Sequence, residues 1–258
     1  MLGGVARILL FKTGRTDGRL REDIGDYEEW FARAFGDAVT LEVHDAVAEP
    51  RGPGAFRVDV RGFDGMVITG SPLSLVAPEP WMHEAAETVR AAGAAGVPTL
   101  GVCFGHQLVA FAYGARVRMN PNGWEVGTSE IDLTTEGERD PLFAGLPRRV
   151  RVNQSHRDEI WELDTASTRI RRLAGSDHTE TQAIAVGEHV RGVQFHPEMS
   201  GSVVRRIIEH RRPLLEEDLA CRGRCRSQLG RLVEGTSDTP HGERILRHFV
   251  ERFVRRAA

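Results

Sequence analysis

Gly101-Val102-Cys103-Phe104-Gly105 places one thiol between two glycines. The apolar run Val97 to Val102 leads into Cys103, and a helix-like segment, Gly105 to Tyr113, follows it. A residue at such a joint sits on a tight strand-to-helix turn with its side chain clear of both elements. This is the Gly-x-nucleophile-x-Gly elbow, with Cys where many hydrolases carry Ser. Gly101 and Gly105 have no Cβ, so the chain can fold back sharply and the helix can close on the strand. The helix N-terminus aims free N–H groups and its positive dipole end at the sulfur, a setting that favours the nucleophilic thiolate. A Cys at the end of a buried strand is also, commonly, a small core hydrophobe.

A reactive Cys needs a base, and the base needs an orienting group. Among ten His, His196 has a distinctive setting in Gly192-Val193-Gln194-Phe195-His196-Pro197-Glu198. An apolar strand runs into His196, and Pro197 ends the ladder. Side chains at i and i+2 of extended backbone lie on one side. Glu198 can therefore accept from one imidazole nitrogen while the other faces a sulfur. His106 is nearer to the thiol in sequence, but it follows the elbow on a helix and reads as a packing residue.

Hydrophobic periodicity predicts the elements that must bring these groups together. Arg7 to Phe11, Val39 to Val43, Phe63 to Thr69 and Pro98 to Val102 read as strands, and Lys12 to Ile24 and Glu49 to Gly54 as loops. Tyr27, Trp30, Phe31 and Ala34 share one helical face, with Asp26 as N-cap and Gly36 as stop. A second helix is expected over Pro80 to Ala95. Strands alternating with helices predict an α/β fold with a mostly parallel central sheet flanked by helices. Functional residues then belong at the C-terminal ends of strands, which puts Gly70-Ser71-Pro72 and Cys103 on one sheet edge.

After Tyr113 come shorter strand-like pieces: Ala115 to Met119, Glu125 to Leu133, Arg149 to Gln154, Arg169 to Leu173, Gln182 to Val186 and Val190 to Phe195. Some read as a small antiparallel ribbon and some as extensions of the main sheet. Helices are expected over Ser202 to Glu209, Arg211 to Leu232 and Gly242 to Arg256. A single domain over 1–258 is expected, its core at about 5–210 and its C-terminal helical extension at about 211–258.

A net charge of -3 gives no reason to expect nucleic acid or an anionic membrane as partner, and acidic residues interleave the C-terminal arginines. The apolar runs are too short to span a bilayer, and the first residues lack the features of a signal peptide. Three Cys make no disulfide framework; Cys221 and Cys225 read as unpaired thiols, and a cytoplasmic location is the default.

The elbow, taken with Phe195-His196-Pro197-Glu198, resembles the class I (triad) glutamine amidotransferase domain. It is most similar to the stand-alone branch related to the amidotransferase domain of GMP synthetase, which includes the γ-glutamyl peptidases. Weaker matches are Gly25-Asp26-Tyr27, Thr69-Gly70-Ser71-Pro72, Pro80-Trp81, Gly123-Trp124-Glu125-Val126-Gly127, Gln154-Ser155-His156-Arg157-Asp158 and Thr239-Pro240-His241-Gly242-Glu243-Arg244-Ile245-Leu246.

The resemblance implies a flavodoxin-like fold and amide hydrolysis through a Cys-bound γ-glutamyl thioester. Cys103, His196 and Glu198 would be the triad. Backbone N–H groups of Ser71 and Phe104 would hold the oxyanion. Gly70, Gln107, Ser155, His156 and Asp158 would line the substrate site. Arg157 stands where the GMP synthetase pattern has Gly. The chemistry requires no metal or organic cofactor. The implied substrate is glutamine or a γ-glutamyl small molecule, hydrolysed alone or with ammonia passed to a separate synthase. A regulatory protein on an inactive scaffold is a further alternative, as is the thiol-elbow chaperone/protease-like superfamily, which fits the downstream His-Pro-Glu poorly.

Overall fold

The computed structural model describes residues 5–47, 58–163 and 170–254. The loop expected over 49–54 lies outside the described residues, as do positions 255–256 of the expected terminal helix. In chain order the first elements are β1 (Ala6–Lys12), α1 (Gly18–Ile24), α2 (Tyr27–Phe35), β2 (Val39–Asp45), β3 (Gly65–Ile68), α3 (Pro80–Ala94), β4 (Thr99–Val102) and α4 (Phe104–Ala112). Then come β5 (Arg116–Met119), β6 (Glu125–Leu133), α5 (Thr135–Arg139), β7 (Arg149–His156), β8 (Asp158–Glu162), β9 (Ile170–Gly175), β10 (Ala183–Val186) and β11 (Val190–Val193). Helices α6 (Gly201–His210), α7 (Arg212–Cys221), α8 (Ser227–Gly235) and α9 (Pro240–Phe249) follow, and α9 runs into a π-turn at Val250–Val254.

Nine strands form one sheet in the order β2-β1-β3-β4-β11-β10-β9-β6-β7. From β2 to β11 every pairing is parallel, and from β11 to β7 every pairing is antiparallel. The parallel half has the flavodoxin-like strand order. Strands β5 and β8 pair apart from it as a two-stranded antiparallel ribbon, whereas Glu125 to Leu133, which the resemblance placed at the start of a ribbon, lies in the main sheet.

Alternation along β1 divides the core in two, as the pleat requires. Ile8 and Leu10 pack with Phe31 and Phe35 of α2 and with Ile245 and Phe249 of α9. Leu9 and Phe11 pack on the other face with Trp81 and Met82 of α3 and Phe104 and Leu108 of α4. The caps of α2 are those read from the sequence: the Asp26 carboxylate accepts from the Tyr27 N–H, and Gly36 ends the helix at φ 53°.

Two expectations fail here. Residues 18–24 are helical rather than loop: Asp17 accepts from the Arg19 N–H, and Gly25 ends the turn at φ 82°. Seven residues with one buried side chain, Leu20, leave almost no periodic signal. Leu20 is held by Tyr27, Trp30, Val203 and Ile207, contacts that only the tertiary structure supplies. The continuous helix expected from Arg211 to Leu232 is broken into α7 and α8 at Gly223, φ 65°. The break lets Leu215 and Leu229 enter the same cluster. Elements α5 and β8 fall in stretches that carried no clear pattern.

Candidate active site

The site forms where the parallel strands end. Cys103 follows β4 directly and is the N-cap of α4, with φ 53° and ψ -104°. Among the described residues it is the only non-glycine with positive φ. Such a conformation costs about 1–3 kcal/mol and persists only where its surroundings enforce it. The enforcement is local. A Cβ on Gly105 would sit 2.5 Å from the Ile68 carbonyl oxygen, and one on Gly101 would overlap the Gly105 carbonyl. Helix α4 can therefore lie directly on β3 and β4. The Cys103 N–H donates to the Val193 carbonyl at 2.9 Å, tying the elbow to β11.

His196 arrives from that neighbouring strand. Parallel pairing sets Gly192 against Gly101 and Val193 against Val102, so the two strand ends finish level. The His196 N–H donates to the Asn153 carbonyl at 2.8 Å, and its ring Nδ1 lies 2.7 Å from Glu198 Oε1. Gly70 lies under the ring; a Cβ there would come within 3.0 Å of His196 Cε1. Burial works against a charged imidazole, but the Glu198 carboxylate and the Cys103 sulfur outweigh it and push His196 up to about 10. A thiol on a strained elbow, an imidazole beside it and a buried carboxylate behind are placed for nucleophilic attack with proton transfer.

A family model described as glutamine amidotransferase class-I matches residues 38–211. The chain belongs to this family. It is 26% identical over 224 residues to γ-glutamyl peptidase 5 of Arabidopsis thaliana, covering 85% of this chain and 87% of that protein. It is 34% identical over 155 residues to a glutamine-hydrolysing GMP synthase subunit from Methanoculleus marisnigri, covering 57% of this chain and 72% of that protein. In fold it resembles a glutamine amidotransferase from Thermotoga maritima, with a TM-score of 0.67 at 20% identity over 98% of this chain and 99% of the other.

In this amidotransferase chain, Cys103, Phe104, Ser71 and His196 open onto a cavity of about 540 Å³. Gln107, Ser155, His156 and Asp158 line it too. Gly70 and Glu198 stand behind its surface. Phe104 is the first residue of α4, so its N–H has no carbonyl one turn back. The Ser71 turn is held from β1: the Thr13 N–H donates to Thr69 Oγ1 and the Thr13 hydroxyl to the Thr69 carbonyl, both at 3.0 Å. Gly14 lies against Ser71, where a Cβ would approach Ser71 Oγ to 2.5 Å.

The remaining candidates are already engaged by protein groups. Gln107 Nε2 donates to the Asp158 carbonyl and to Gln194 Oε1, each at 3.0 Å. His156 contacts the Asp158 carbonyl through Nδ1 and Glu125 Oε2 through Nε2, both at 3.1 Å, so it is a fixed wall rather than a free base. Burial alone would raise Glu125, but His156, His178 and Thr179 hold it down at about 2. Burial pushes the Asp158 carboxyl above its ordinary range, against the hydrogen bond from Ser74 and the charges of Arg157 and His156. His106 lies behind the elbow against Gly192, and burial pushes it down to about 3.

Four residues at the site escaped sequence reasoning. Thr13 and Gly14 were read only as loop. Tyr27 lines the cavity; burial, then the nearby Cys103 sulfur, keep its hydroxyl protonated. In the sequence it carried the Gly25-Asp26-Tyr27 match and a place on the apolar helical face, neither of which pointed to the cavity. Arg211 lines the cavity from the end of α6, and within an arginine-rich stretch nothing singled it out.

Proposed function

We propose that this chain hydrolyses the γ-amide of glutamine or of a γ-glutamyl compound. The observation that carries the reading is Cys103 on its strained elbow beside the His196–Glu198 pair. The Cys103 sulfur attacks the amide carbon. The developing oxyanion is held by the backbone N–H groups of Ser71 and Phe104. His196 delivers its proton to the departing nitrogen, the C–N bond breaks, and a γ-glutamyl thioester remains on Cys103. His196 then takes a proton from water as that water attacks the thioester; glutamate leaves and the thiol is restored. Glu198 holds the ring orientation and balances its charge through both steps.

Intact-mass measurement during turnover tests the reading. A γ-glutamyl adduct on the wild type, absent from a folded and inactive Cys103→Ala protein, is the expected result. Turnover retained by Cys103→Ala would refute it. A second reading, delivery of ammonia to a separate synthase, is favoured by the similarity to the GMP synthase subunit from Methanoculleus marisnigri. Glutamine hydrolysis that appears only when a synthase is added supports this version.

A further inference from the structure

Gln107 and His156 form part of the cavity wall, and a run of buried amides that the mechanism does not use stands behind them. Gln182 Nε2 donates to Glu125 Oε2 at 2.9 Å, and Gln154 Nε2 donates to Gln182 Oε1 at 3.2 Å. From the other side, Gln107 Nε2 donates to the Asp158 carbonyl and to Gln194 Oε1, each at 3.0 Å. His156 spans the two anchors, the Asp158 carbonyl and Glu125 Oε2. These bonds make a circuit with one link left, from Gln194 Nε2 to Gln154 Oε1. Both residues are fully buried, and among the described residues neither of these atoms has a hydrogen-bond partner. The two side chains come from neighbouring backbone. The Gln194 N–H donates to the Gln182 carbonyl at 2.9 Å, and the His196 N–H donates to the carbonyl of Asn153, next to Gln154.

The anchors set the polarity of that link, because an ionised carboxylate and a backbone carbonyl only accept. Gln182 must turn its NH2 to Glu125 and its oxygen to Gln154, which leaves Gln154 with an oxygen at the link. Gln107 must turn its NH2 to the Asp158 carbonyl and to Gln194 Oε1, which leaves Gln194 with an NH2 there. A donor and an acceptor thus remain, not bonded to each other. We propose that one buried water closes the circuit, accepting from Gln194 Nε2 and donating to Gln154 Oε1. Water is small and both donates and accepts, and internal waters commonly settle where buried polar groups would otherwise stay unpaired. The water joins Gln107 and His156 into one rigid piece of wall. Both amide hydrogens of Gln107 are spent inside the circuit, so towards the cavity it offers Oε1, an acceptor. The water site stands whether or not the cavity hydrolyses γ-amides.

Water-selective NOE spectra of the full chain, isotope-labelled at glutamine, test it. The Gln194 side-chain amide is expected to show a cross-peak to a water that tumbles with the protein. Gln154→Met removes the acceptor and leaves Gln194 intact, so it should erase that cross-peak. It should also speed exchange of the Gln107 side-chain amide roughly tenfold, the worth of one hydrogen bond. Gln154 is not bonded to Gln107, so this effect has to travel through the circuit. Absence of the cross-peak in the wild type overturns the inference, and so does a scalar coupling across a direct Gln194–Gln154 hydrogen bond. Both of those measurements are made on the wild type and stand even if Gln154→Met does not fold. A cross-peak or a Gln107 exchange rate left unchanged in folded Gln154→Met overturns it as well. A water at Gln194 in a protein that forms no γ-glutamyl adduct upholds the site and counts against the hydrolytic reading alone.

Discussion

At the scale of single residues the site is a charge arrangement. His196 holds its proton far above its ordinary 6.5 because Glu198 and Cys103 supply negative charge inside a buried site. A group with a raised folded-state value stabilises the fold fully below its unfolded value. That stabilisation is lost as pH rises through the folded value. The stability advantage of the wild type over Glu198→Gln should therefore be full near pH 6.5 and vanish by about pH 10. Urea unfolding across that window checks the sign; a gap that widens with pH would contradict the assignment. The same substitution removes the group that orients and balances the ring, and kcat should fall roughly 10²- to 10⁴-fold. An unimpaired kcat in a folded Glu198→Gln protein would remove Glu198 from the mechanism.

At the scale of elements the elbow depends on how closely α4 approaches β3 and β4. Gly105→Ala puts a methyl group 2.5 Å from the Ile68 carbonyl oxygen, which is backbone and has nowhere to move. The expected cost is about 1–3 kcal/mol, read from the unfolding midpoint. Thiol alkylation should slow as well, because α4 must shift and carry Cys103 with it. A variant of wild-type stability would mean that the helix can slide without strain. Elements of this kind were legible in the sequence where local chemistry suffices: Asp26 and Gly36 bound α2, and the glycines about Cys103 bound the elbow. Helix α1 was not, because one Leu on a short polar segment has no period to detect. The same holds for Arg211, which is distinguished only by where the end of α6 places it.

At the scale of the whole molecule the site straddles a seam. Cys103 comes from the parallel half of the sheet, His196 from its last parallel strand, and Ser155 from β7 at the far antiparallel edge. Alternation of strands and helices made the parallel half readable. The order of the antiparallel half was not, since pairing partners such as β6 and β9 are far apart in the chain and short apolar strands do not name their neighbours. Two cavity residues belong to this distant assembly, Arg157 between β7 and β8 and Arg211 after α6.

The in-register pairing of β4 with β11 joins residues 99–102 to residues 190–193. Contacts so distant in sequence form late, because loop closure must precede them. During synthesis Cys103 is therefore made long before His196 exists. On the proposed mechanism, competence then waits for β11 to pair with β4. In refolding followed by pulses of a glutamine-analogue electrophile, labelling of Cys103 should lag the recovery of helix signal and coincide with protection of the β11 amides. Labelling that precedes that protection would show that the thiol needs neither strand nor base to react.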